Sequence, residues 1–419
     1  MTIVVLMILS LAIGVPIFAA LGIATLGELL YSPVPLATLA YTLYSGVDQF
    51  PLIAIPCFVL ASALMTRAGI TGDMVRVMRL LVGARPGGLA AVTILACMFF
   101  AAISGSGPGT VAAVGALMIP AMARDGYDED YAAAVASSGG TLGILIPPSN
   151  PMIVYGVLAG VSIGDLFIAG VLPGILMGVL LIAVSIRIAR RRGYRSSVGA
   201  TADETLGKAA WQGAFSLAMP FVVLGGIYAG VFTPVEAAIV AVVYALLVGL
   251  AVKRALSLAA IWQALSETSA ICGGLVLIMG TAILFGESLA LNQVPQRLAS
   301  AMLAVTTDPT LMLLLIGALL VFLGTFMETL STIIILTPIL LPMVTQIGVH
   351  PIHFGIILVV ASEIGFLTPP LGVNLFVSCN LTGLPLEKVA RAAVPFIVAM
   401  TVALIAVIVF PWFSLAIVG

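Results

Sequence analysis

The chain has 419 residues, of which 62% are hydrophobic and only 8% are charged, and its formal net charge is −1. A soluble domain carries about 25% charged residues, so this composition excludes a water-soluble protein and predicts an all-α polytopic membrane protein. The near-neutral charge also argues against a nucleic-acid partner. Four cysteines lie in apolar segments without metal-binding or redox spacing: Cys57, Cys97, Cys272 and Cys379.

A transmembrane helix needs ~20 apolar residues. This criterion predicts complete crossings, in chain order, at 3–28, 49–66, 130–160, 170–189, 211–230, 234–252, 269–290, 352–377 and 394–417. Two further apolar stretches, 86–123 and 309–346, are interrupted midway by polar or small residues. The arm after the first interruption, 110–123, spans only about 21 Å as a helix. Both stretches are therefore predicted to be re-entrant helical hairpins.

The orientation follows from the distribution of Lys and Arg. The loop 187–208 holds six of the 16 basic residues, so it is predicted to be cytoplasmic. Counting crossings outward from this loop places Arg67, Arg124 and Lys388 on the same side. The same count places the N-terminus in the cytoplasm and the C-terminus on the opposite side. No basic residue precedes the first apolar run, which predicts an uncleaved first helix.

The chain contains an internal repeat. Segment 120–173 matches segment 342–395 at a constant shift of 222 residues. The matched positions are mostly Gly and Pro, which determine backbone shape: Pro120 and Pro342, Gly126 and Gly348, Gly143 and Gly365, Pro147–Pro148 and Pro369–Pro370, Pro173 and Pro395. We expect a first repeat over 1–200, a connecting span over 201–232 and a second repeat over 233–419. One connecting crossing inverts the second copy, so hairpin 86–123 is expected to enter from the cytoplasm and hairpin 309–346 from the outside.

Four polar breaks interrupt the apolar segments, and they form two pairs. SGSGPGT at 104–110 pairs with GGTLGILIPPSNP at 139–151, and GTFMETLST at 324–332 pairs with SEIGFLTPPLGVN at 362–374. Non-helical backbone at membrane depth is tolerated only where protein or a polar cavity satisfies it. Freed carbonyls and hydroxyls suit an alkali cation, and the N-termini of half-helices favour an anion. Inverted repeats with such breaks are typical of secondary transporters, so we expect ion-coupled uptake of an acidic solute.

A few single charged or imidazole side chains lie in or next to the apolar segments. Glu328 and Glu363 lie in breaks of the second repeat, where we expect a site role rather than a simple helix cap. Glu236 follows FTPV and is predicted to cap a helix start. His350 and His353 are predicted in an external loop without a zinc motif. The sequence contains no recognisable catalytic set, so an enzyme is not expected.

The chain resembles the large membrane subunit (DctM-like, M subunit) of tripartite ATP-independent periplasmic (TRAP) transporters over essentially its whole length. SGSGPGT, GTLGILIPPSNPMIVYG, GIYAGVFTPVEAAIVAVVYA and SEIGFLTPPLGVNLFV carry the resemblance. It implies an elevator-type fold in the bacterial inner membrane and Na+-driven import of an organic acid, such as a C4-dicarboxylate or sialic acid. It also implies two protein partners: a periplasmic substrate-binding protein and a separate small four-helix membrane subunit.

Carried over by motif, the resemblance implies three groups of residues. The first sodium site comprises Ser104, Gly105, Ser106, Gly107, Gly109, Thr110, Gly139, Gly140, Thr141 and Pro147. The second comprises Gly324, Thr325, Glu328, Thr329, Ser362, Glu363, Thr368 and Pro369. The substrate contacts are Ser106, Pro148, Ser149, Asn150, Thr329, Pro370 and Asn374. Asn150 maps onto Gly372, whereas Asn374 maps onto Met152, so the two ion sites are expected to differ in their ligands.

Three alternatives stay open at this point. A stand-alone sodium/dicarboxylate symporter without a binding protein would share the hairpins and breaks. A channel would need a continuous polar pore, and two hairpins from opposite faces favour a sealed site instead. An intramembrane enzyme lacks a recognisable set of catalytic residues.

Overall fold

The computed structural model describes residues 2–29, 36–82, 86–194, 207, 211, 213–303, 306 and 308–418. Within these ranges the protein is helical and contains no β-strand. In chain order the helices are α1 Thr2–Ala12, α2 Ile17–Leu29, α3 Leu36–Val47, α4 Ala54–Arg67, α5 Ile70–Val82, α6 Gly88–Ser104, α7 Gly107–Arg124, α8 Glu129–Gly140, α9 Leu142–Leu145, α10 Asn150–Ala159, α11 Ile163–Arg191, α12 Ala214–Tyr228, α13 Pro234–Leu247, α14 Leu258–Leu291, α15 Val294–Leu303, α16 Pro309–Gly324, α17 Thr329–Gln346, α18 Pro351–Gly365, α19 Val373–Thr382, α20 Leu386–Val409 and α21 Trp412–Leu415. A 3-10 turn at Phe50–Ile53 precedes α4, and a π-helical turn at Val248–Val252 extends α13.

Seven helical stretches of the described chain are long and apolar enough to cross a membrane. They are Phe50–Arg67, Glu129–Ala159, Ile163–Arg191, Pro234–Val252, Leu258–Leu291, Thr329–Gln346 and Leu386–Val409. The protein is therefore an all-α polytopic membrane protein. The predicted crossing 130–160 corresponds to the broken helix α8–α9–α10, and 352–377 corresponds to the broken helix α18–α19.

The two interrupted stretches form helical hairpins, as predicted. Hairpin 1 consists of α6 and α7, and hairpin 2 consists of α16 and α17, with each pair of arms in contact. The second arms, Gly107–Arg124 and Thr329–Gln346, have the same bounds after the 222-residue shift. Each broken helix also packs against a hairpin of the other repeat, because α19 contacts α7 and α10 contacts α17.

The bases of the two hairpins lie at opposite ends of α11 and α20. Just after hairpin 1, Asp128 binds Arg192 beyond the C-terminus of α11 at 2.9 Å, and Arg192 shares a surface pocket with Lys388 in the first turn of α20. Just after hairpin 2, His353 Nδ1 lies 2.5 Å from Ser414 Oγ, beyond the other end of α20. Because α20 has 24 residues and spans about 36 Å, the hairpins enter from opposite sides. The two repeats are therefore inverted.

A second group of helices surrounds the long helix α14. Helices α2, α3 and α4 contact α14, and α13 packs against α4. On its other side α14 contacts α17 of hairpin 2. Helix α14 therefore lies between the peripheral helices and the body built from the hairpins and broken helices.

The predicted single crossing over 3–28 was wrong. A turn at 13–16, with Gly14 at φ +84° and a proline at position 16, separates α1 from α2. The two helices fold back on one another, since Leu6 Cδ1 lies 3.1 Å from where a Cβ on Gly27 would be. With 11 and 13 residues, α1 and α2 span only about 16 and 20 Å. The predicted cytoplasmic location of the N-terminus counted this stretch as one crossing, so that prediction no longer has a basis.

Three further sequence predictions concern Glu236, the crossing 269–290 and His353. Glu236 caps α13 in a capping box with Thr233, as predicted. The predicted crossing 269–290 is only part of α14, which begins at Leu258, where the Ser257 hydroxyl caps its N-terminus by accepting from the Ala260 N–H at 3.1 Å. His353 was placed wrongly in an external loop, since it lies inside α18 and is only 3% exposed.

Candidate transport site

The tip of hairpin 1 is a helix end followed at once by a helix start. Helix α6 ends at Gly105, whose φ of +59° is a left-handed conformation that favours glycine. Ser106 is extended and caps α7, because its Oγ accepts a hydrogen bond from the Gly109 N–H at 3.3 Å. The sequence SGSGPGT therefore turns the chain within two residues and directs the N-terminus of α7 at the tip.

The carbonyl of Ser106 is the centre of this tip. Its oxygen accepts hydrogen bonds from Ser104 Oγ at 3.1 Å and from Thr110 Oγ1 at 2.8 Å. Gly143, in the short helix α9, packs directly on this group. A Cβ there would lie 2.5 Å from both Ser106 O and Thr110 Oγ1. Gly143 was not among the predicted site residues, although its match with Gly365 in the repeat marked it as a backbone position.

The predicted site residues at the end of α8 face different parts of the protein. Gly140 faces the tip, since a Cβ there would lie 3.1 Å from Gly107 O. Gly139 faces α6 instead, where a Cβ would lie 2.8 Å from Cys97 Sγ. The Thr141 hydroxyl donates to Ser138 O at 2.7 Å within its own helix. Gly139 and Thr141 are therefore not brought to the tip, and Pro147 is buried in the break between α9 and α10.

The start of α10 completes the first half of the site. The Asn150 N–H donates to Gly105 O at 3.4 Å, and the carbonyl of Pro148 lies 3.1 Å from where a Cβ on Gly105 would be. Ser149 caps α10 by accepting from the Met152 N–H at 3.4 Å. Asn150 Oδ1 is buried without a hydrogen-bond partner. A buried amide oxygen of this kind is available to a ligand.

The tip of hairpin 2 repeats the backbone of the first. Thr332 Oγ1 donates to Glu328 O at 3.0 Å, as Thr110 does to Ser106 O after the 222-residue shift. Gly324 and Gly365 touch, since a Cβ on Gly365 would lie 2.3 Å from the Gly324 carbonyl carbon. The Leu371 N–H also donates to Thr325 O at 3.0 Å. The second tip is thereby fixed against its own broken helix.

Glu363 places a carboxylate between the two halves of the site. The residue is 1% exposed, and its Oε1 accepts from Thr329 Oγ1 at 3.0 Å. Its Oε2 has no hydrogen-bond partner, and neither has Asn374 Oδ1. Both oxygens point at the tip of hairpin 1, because a Cβ on Gly107 would lie 3.4 Å from Glu363 Oε2 and 3.2 Å from Asn374 Oδ1.

The remaining predicted residues of the second half have other surroundings. Ser362 and Thr368 donate their hydroxyls to carbonyls within α18 and its end, to Leu358 O at 2.8 Å and Ile364 O at 2.9 Å. Pro369 and Pro370 are exposed. Asn374 is buried behind the tip of hairpin 1, where its Nδ2 donates to Ser137 O at 3.5 Å.

A cavity of about 380 Å³ lies where the two tips meet helices α4 and α14. The tips contribute Ser104, Ser106, Glu328 and Thr329 to its wall, and the start of α10 contributes Asn150. The opposite wall carries Arg67 at the end of α4 and Glu267 of α14, joined by an ion pair of 2.6 Å. The sequence did not predict these two residues, because 200 positions separate them and neither lies in a polar break. Within the described ranges there is no group of three or more His, Cys, Asp or Glu that could hold a metal ion.

Residues 4–413 match the family described as the DctM component of the tripartite ATP-independent periplasmic transporter. The chain belongs to this family. It is 42% identical over 388 residues to the C4-dicarboxylate TRAP transporter large permease protein DctM of Pseudomonas aeruginosa, covering 93% of this chain and 91% of that protein. It is 36% identical over 403 residues to the sialic acid TRAP transporter large permease protein SiaM of Vibrio cholerae, covering 96% of this chain and 94% of that protein.

The isethionate TRAP transporter permease protein DctMQ of Oleidesulfovibrio alaskensis is 42% identical over 95% of this chain, which spans 63% of that protein's length. The solved structure of the Alcanivorax borkumensis YdaH transporter matches with a TM-score of 0.67 at 15% identity, over 90% of this chain and 89% of that one. The likeness to YdaH shows that the two chains share a fold. As a member of the DctM family, the chain is a TRAP transporter large permease.

Proposed function

We propose that this DctM-family protein imports an organic acid together with sodium, and that the cavity between the hairpin tips is where the acid binds. One observation carries the proposal. Both hairpin tips, with their hydroxyls, carbonyls and half-helix N-termini, line the same cavity as an arginine of the opposite wall. Oxygen ligands suit an alkali cation, whereas half-helix N-termini and a guanidinium suit an anion.

The charge of the cavity supports coupling of the two solutes. Its charged wall residues are Arg67, Glu267 and Glu328, whose formal charges sum to −1. An acid entering this cavity adds further negative charge, which is unfavourable without a compensating cation. Sodium bound at the tips would supply that compensation. Binding of the acid then depends on sodium, which is the requirement for symport.

We place the first sodium ion at the tip of hairpin 1, around the Ser106 carbonyl, Thr110 and the facing backbone of Gly140 and Gly143. The second is placed between the two tips, with Thr329 of hairpin 2 and the unpartnered Oε2 of Glu363, which faces Gly107, among its ligands. The acid would contact Ser106, Asn150 and Thr329 on the cavity side. Pro370 and Asn374, also predicted as substrate contacts, lie away from this wall and are not included.

The substrate and partners are proposed from the relatives. Those relatives are named for C4-dicarboxylate, sialic acid, isethionate and 2,3-diketo-L-gulonate, all of which are acids. We propose a small organic acid of this kind, delivered by a periplasmic substrate-binding protein. Because the similar proteins are named large permeases, we also propose a small membrane subunit as a separate chain. In the longer DctMQ relative, the part beyond the match would correspond to that subunit.

The proposed membrane is the bacterial inner membrane, with the loop at 187–208 in the cytoplasm and the C-terminus in the periplasm. The body built from hairpins and broken helices would move against α4 and α14 in an elevator-type cycle. Accessibility labelling tests the orientation. A cysteine replacing Arg124 should react only from the cytoplasm, and one replacing Gln346 only from the periplasm. Labelling of both positions from the same side would overturn the orientation and the elevator proposal.

Transport is tested in proteoliposomes that contain the chain with its small subunit and binding protein. Four acids serve as probes: succinate, N-acetylneuraminic acid, isethionate and 2,3-diketo-L-gulonate. Uptake of at least one should require an inward sodium gradient and should cease when potassium or choline replaces sodium. Equal uptake driven by a proton gradient without sodium would exclude sodium coupling. Uptake that continues without the binding protein would favour the stand-alone symporter.

A further inference from the structure

The wall opposite the hairpin tips carries one ion pair that faces the proposed acid site. Arg67 is the last residue of α4, and its Nη2 donates to Glu267 Oε1 of α14 at 2.6 Å. The side chain of Arg67 is 24% exposed and that of Glu267 is 59% exposed. Both line the cavity that Ser106, Asn150 and Glu328 also line. The pair therefore joins two helices of the wall and, at the same time, presents a guanidinium to the cavity.

The chemistry of the pair is that of an acid bound to arginine. A guanidinium has five N–H donors in a planar fork that matches a carboxylate. The bonds from Arg67 to Glu267 and to Ala63 O, at 2.6 and 3.4 Å, use two of these donors. Glu267 therefore occupies Arg67 with the same functional group that an organic acid would bring. Arg67 is the one cation in the wall of this cavity, whose lining lies within the described chain.

We propose that Arg67 is an acid-binding residue of the cavity wall, and that Glu267 is an internal competitor which the substrate displaces. This inference rests on the proposed function, because it requires an anionic substrate in this cavity. The ligand of this subsite is a carboxylate or a sulfonate of a small organic acid. The contact lies on α4, outside the hairpin tips, so the acid is held between the two tips and the opposite wall.

Because Glu267 is exposed, its displacement from Arg67 by a bound acid costs little free energy. Exposed ion pairs contribute only about 0–1 kcal/mol, so little stabilisation is lost when Glu267 leaves Arg67. Arg67 is more buried and gains a new acid group in exchange for the old one. The displaced carboxylate is then left beside the bound anion, where like-charge repulsion favours departure of the acid. The pair therefore provides both a binding residue and a means of release.

The pair Arg192–Asp128 offers a matched control. It is also an Arg–carboxylate contact, at 2.9 Å, but it lies at the outer end of α11 and not in the cavity. A purely structural role for Arg67 means that its contact with Glu267 matters only as a tie between α4 and α14. In that case Arg67→Gln and Glu267→Gln break the same tie and change transport in the same direction.

The proposal predicts opposite directions for those two variants. In proteoliposomes with the partner subunits, Arg67→Gln should raise the KM for the transported acid about ten- to hundredfold, as expected when a hydrogen-bonded charged partner is lost. Glu267→Gln should lower the KM about two- to fivefold, because a competitor of modest strength is removed. Arg67→Lys keeps the charge without the fork and should lie between wild type and Arg67→Gln. Arg192→Gln should leave the KM unchanged.

The outcomes separate this inference from the proposed function. Wild-type uptake of one of the four acids, with unchanged KM in Arg67→Gln, overturns the role of Arg67 and leaves the proposed function intact. A KM raised in both Arg67→Gln and Glu267→Gln shows a structural tie and also overturns it. Wild-type uptake of none of the four acids overturns the proposed function and this inference together. Thermal unfolding in detergent identifies a variant that has failed to fold, and Arg67→Lys then decides through its KM.

Discussion

The two halves of the site share a backbone but differ in exposure and chemistry. The second arms of the hairpins coincide after the shift, and both tips place a threonine hydroxyl on the carbonyl four residues earlier. Yet Pro147 and Pro148 in the first break are buried, whereas Pro369 and Pro370 in the second are exposed. The duplication therefore preserved the path of the chain while the surroundings of each break diverged.

The two halves of the site also differ in their side chains. The first tip has Ser106, which caps α7 with its own hydroxyl. The second has Glu328 at the equivalent position, and its side chain caps nothing and lies in the cavity wall. Thr141 of the first half is replaced by Glu363 in the second. The first half thus offers neutral oxygens and the second offers charge, so we expect the two ions to respond differently to mutation.

The largest effect is expected at Gly143, where α9 packs directly on the tip of hairpin 1. Gly143→Ala would place a Cβ 2.5 Å from Ser106 O and Thr110 Oγ1, which forces the tip of hairpin 1 to move. Overpacking of this kind costs about 1–3 kcal/mol. We expect sodium-dependent uptake to fall about ten- to hundredfold, measured in proteoliposomes.

The control for Gly143 is Gly273→Ala in α14, where a Cβ would meet no atom within 4 Å. This change should leave uptake unchanged. If Gly143→Ala transports as well as Gly273→Ala, hairpin 1 does not depend on its contact with α9. The tip of hairpin 1 would then not be held in place by its own broken helix, unlike the tip of hairpin 2.

Removal of the buried charge tests the second half. Glu363→Gln keeps an acceptor for Thr329 but removes the acid group that can ionise beside a bound cation. We expect the sodium concentration for half-maximal uptake to rise about tenfold, because a charged ligand interacts more strongly with a cation than a neutral one. Thr141→Val, at the equivalent position of the first half, should leave this concentration unchanged, since its hydroxyl is used within α8. Equal responses of the two variants would contradict the division into neutral and charged halves.

A smaller effect is expected for the hydroxyls of the first tip. Thr110→Val removes the bond to Ser106 O at 2.8 Å and should raise the sodium requirement about threefold, as for a neutral hydrogen-bonding ligand worth ~1 kcal/mol or less. Ser106→Ala also removes a helix cap and should lower stability by ~1 kcal/mol. Sodium-dependent uptake and thermal unfolding are measured on both, with exposed Ser266→Ala as control. An unaltered sodium response in both tip variants would refute a role for these hydroxyls in ion binding.

The smallest effect concerns the base of hairpin 1, outside the site. Burial raises the pKa of Tyr127 from 10.0 to about 12, and Asp125 adds to the shift. Its neutral form is therefore favoured in the folded state, so its contribution to stability is complete below pH 10 and is lost as the pH rises towards 12. Tyr127→Phe cannot ionise, and its melting temperature in detergent should fall less over this range. Parallel pH profiles for wild type and variant would contradict this assignment.

Backbone breaks were the part of the structure that the sequence predicted best. Gly and Pro act locally, so their spacing located both hairpins, both broken helices and the repeat within a few residues. The turn between α1 and α2 was not predicted, because only one Gly and one Pro interrupt an otherwise continuous apolar run. Hydropathy alone cannot distinguish such a run from a single crossing. The length of helix α14 was underestimated because its first turns form an amphipathic stretch, which lies outside the apolar run that defined the predicted crossing.

Side-chain partners across the fold were not predictable in the same way. Arg67 and Glu267 come together only because α4 and α14 pack against each other, and nothing near either residue in the chain indicates the other. The same holds for Glu363, which was expected at a site but not against Gly107 of the other repeat. Such contacts depend on tertiary packing, which a single sequence does not encode locally.

The length of α14 has a consequence for the lipid. Its 34 residues extend about 51 Å, while the hydrocarbon core of a bilayer is ~30 Å thick. The helix must therefore tilt, with its first turns among the headgroups, where the exposed Trp262 suits the interface. Because Glu267 lies on this helix, we expect its depth in the bilayer, and with it the rate of uptake, to change with acyl-chain length. Uptake measured in vesicles of graded chain length tests this expectation.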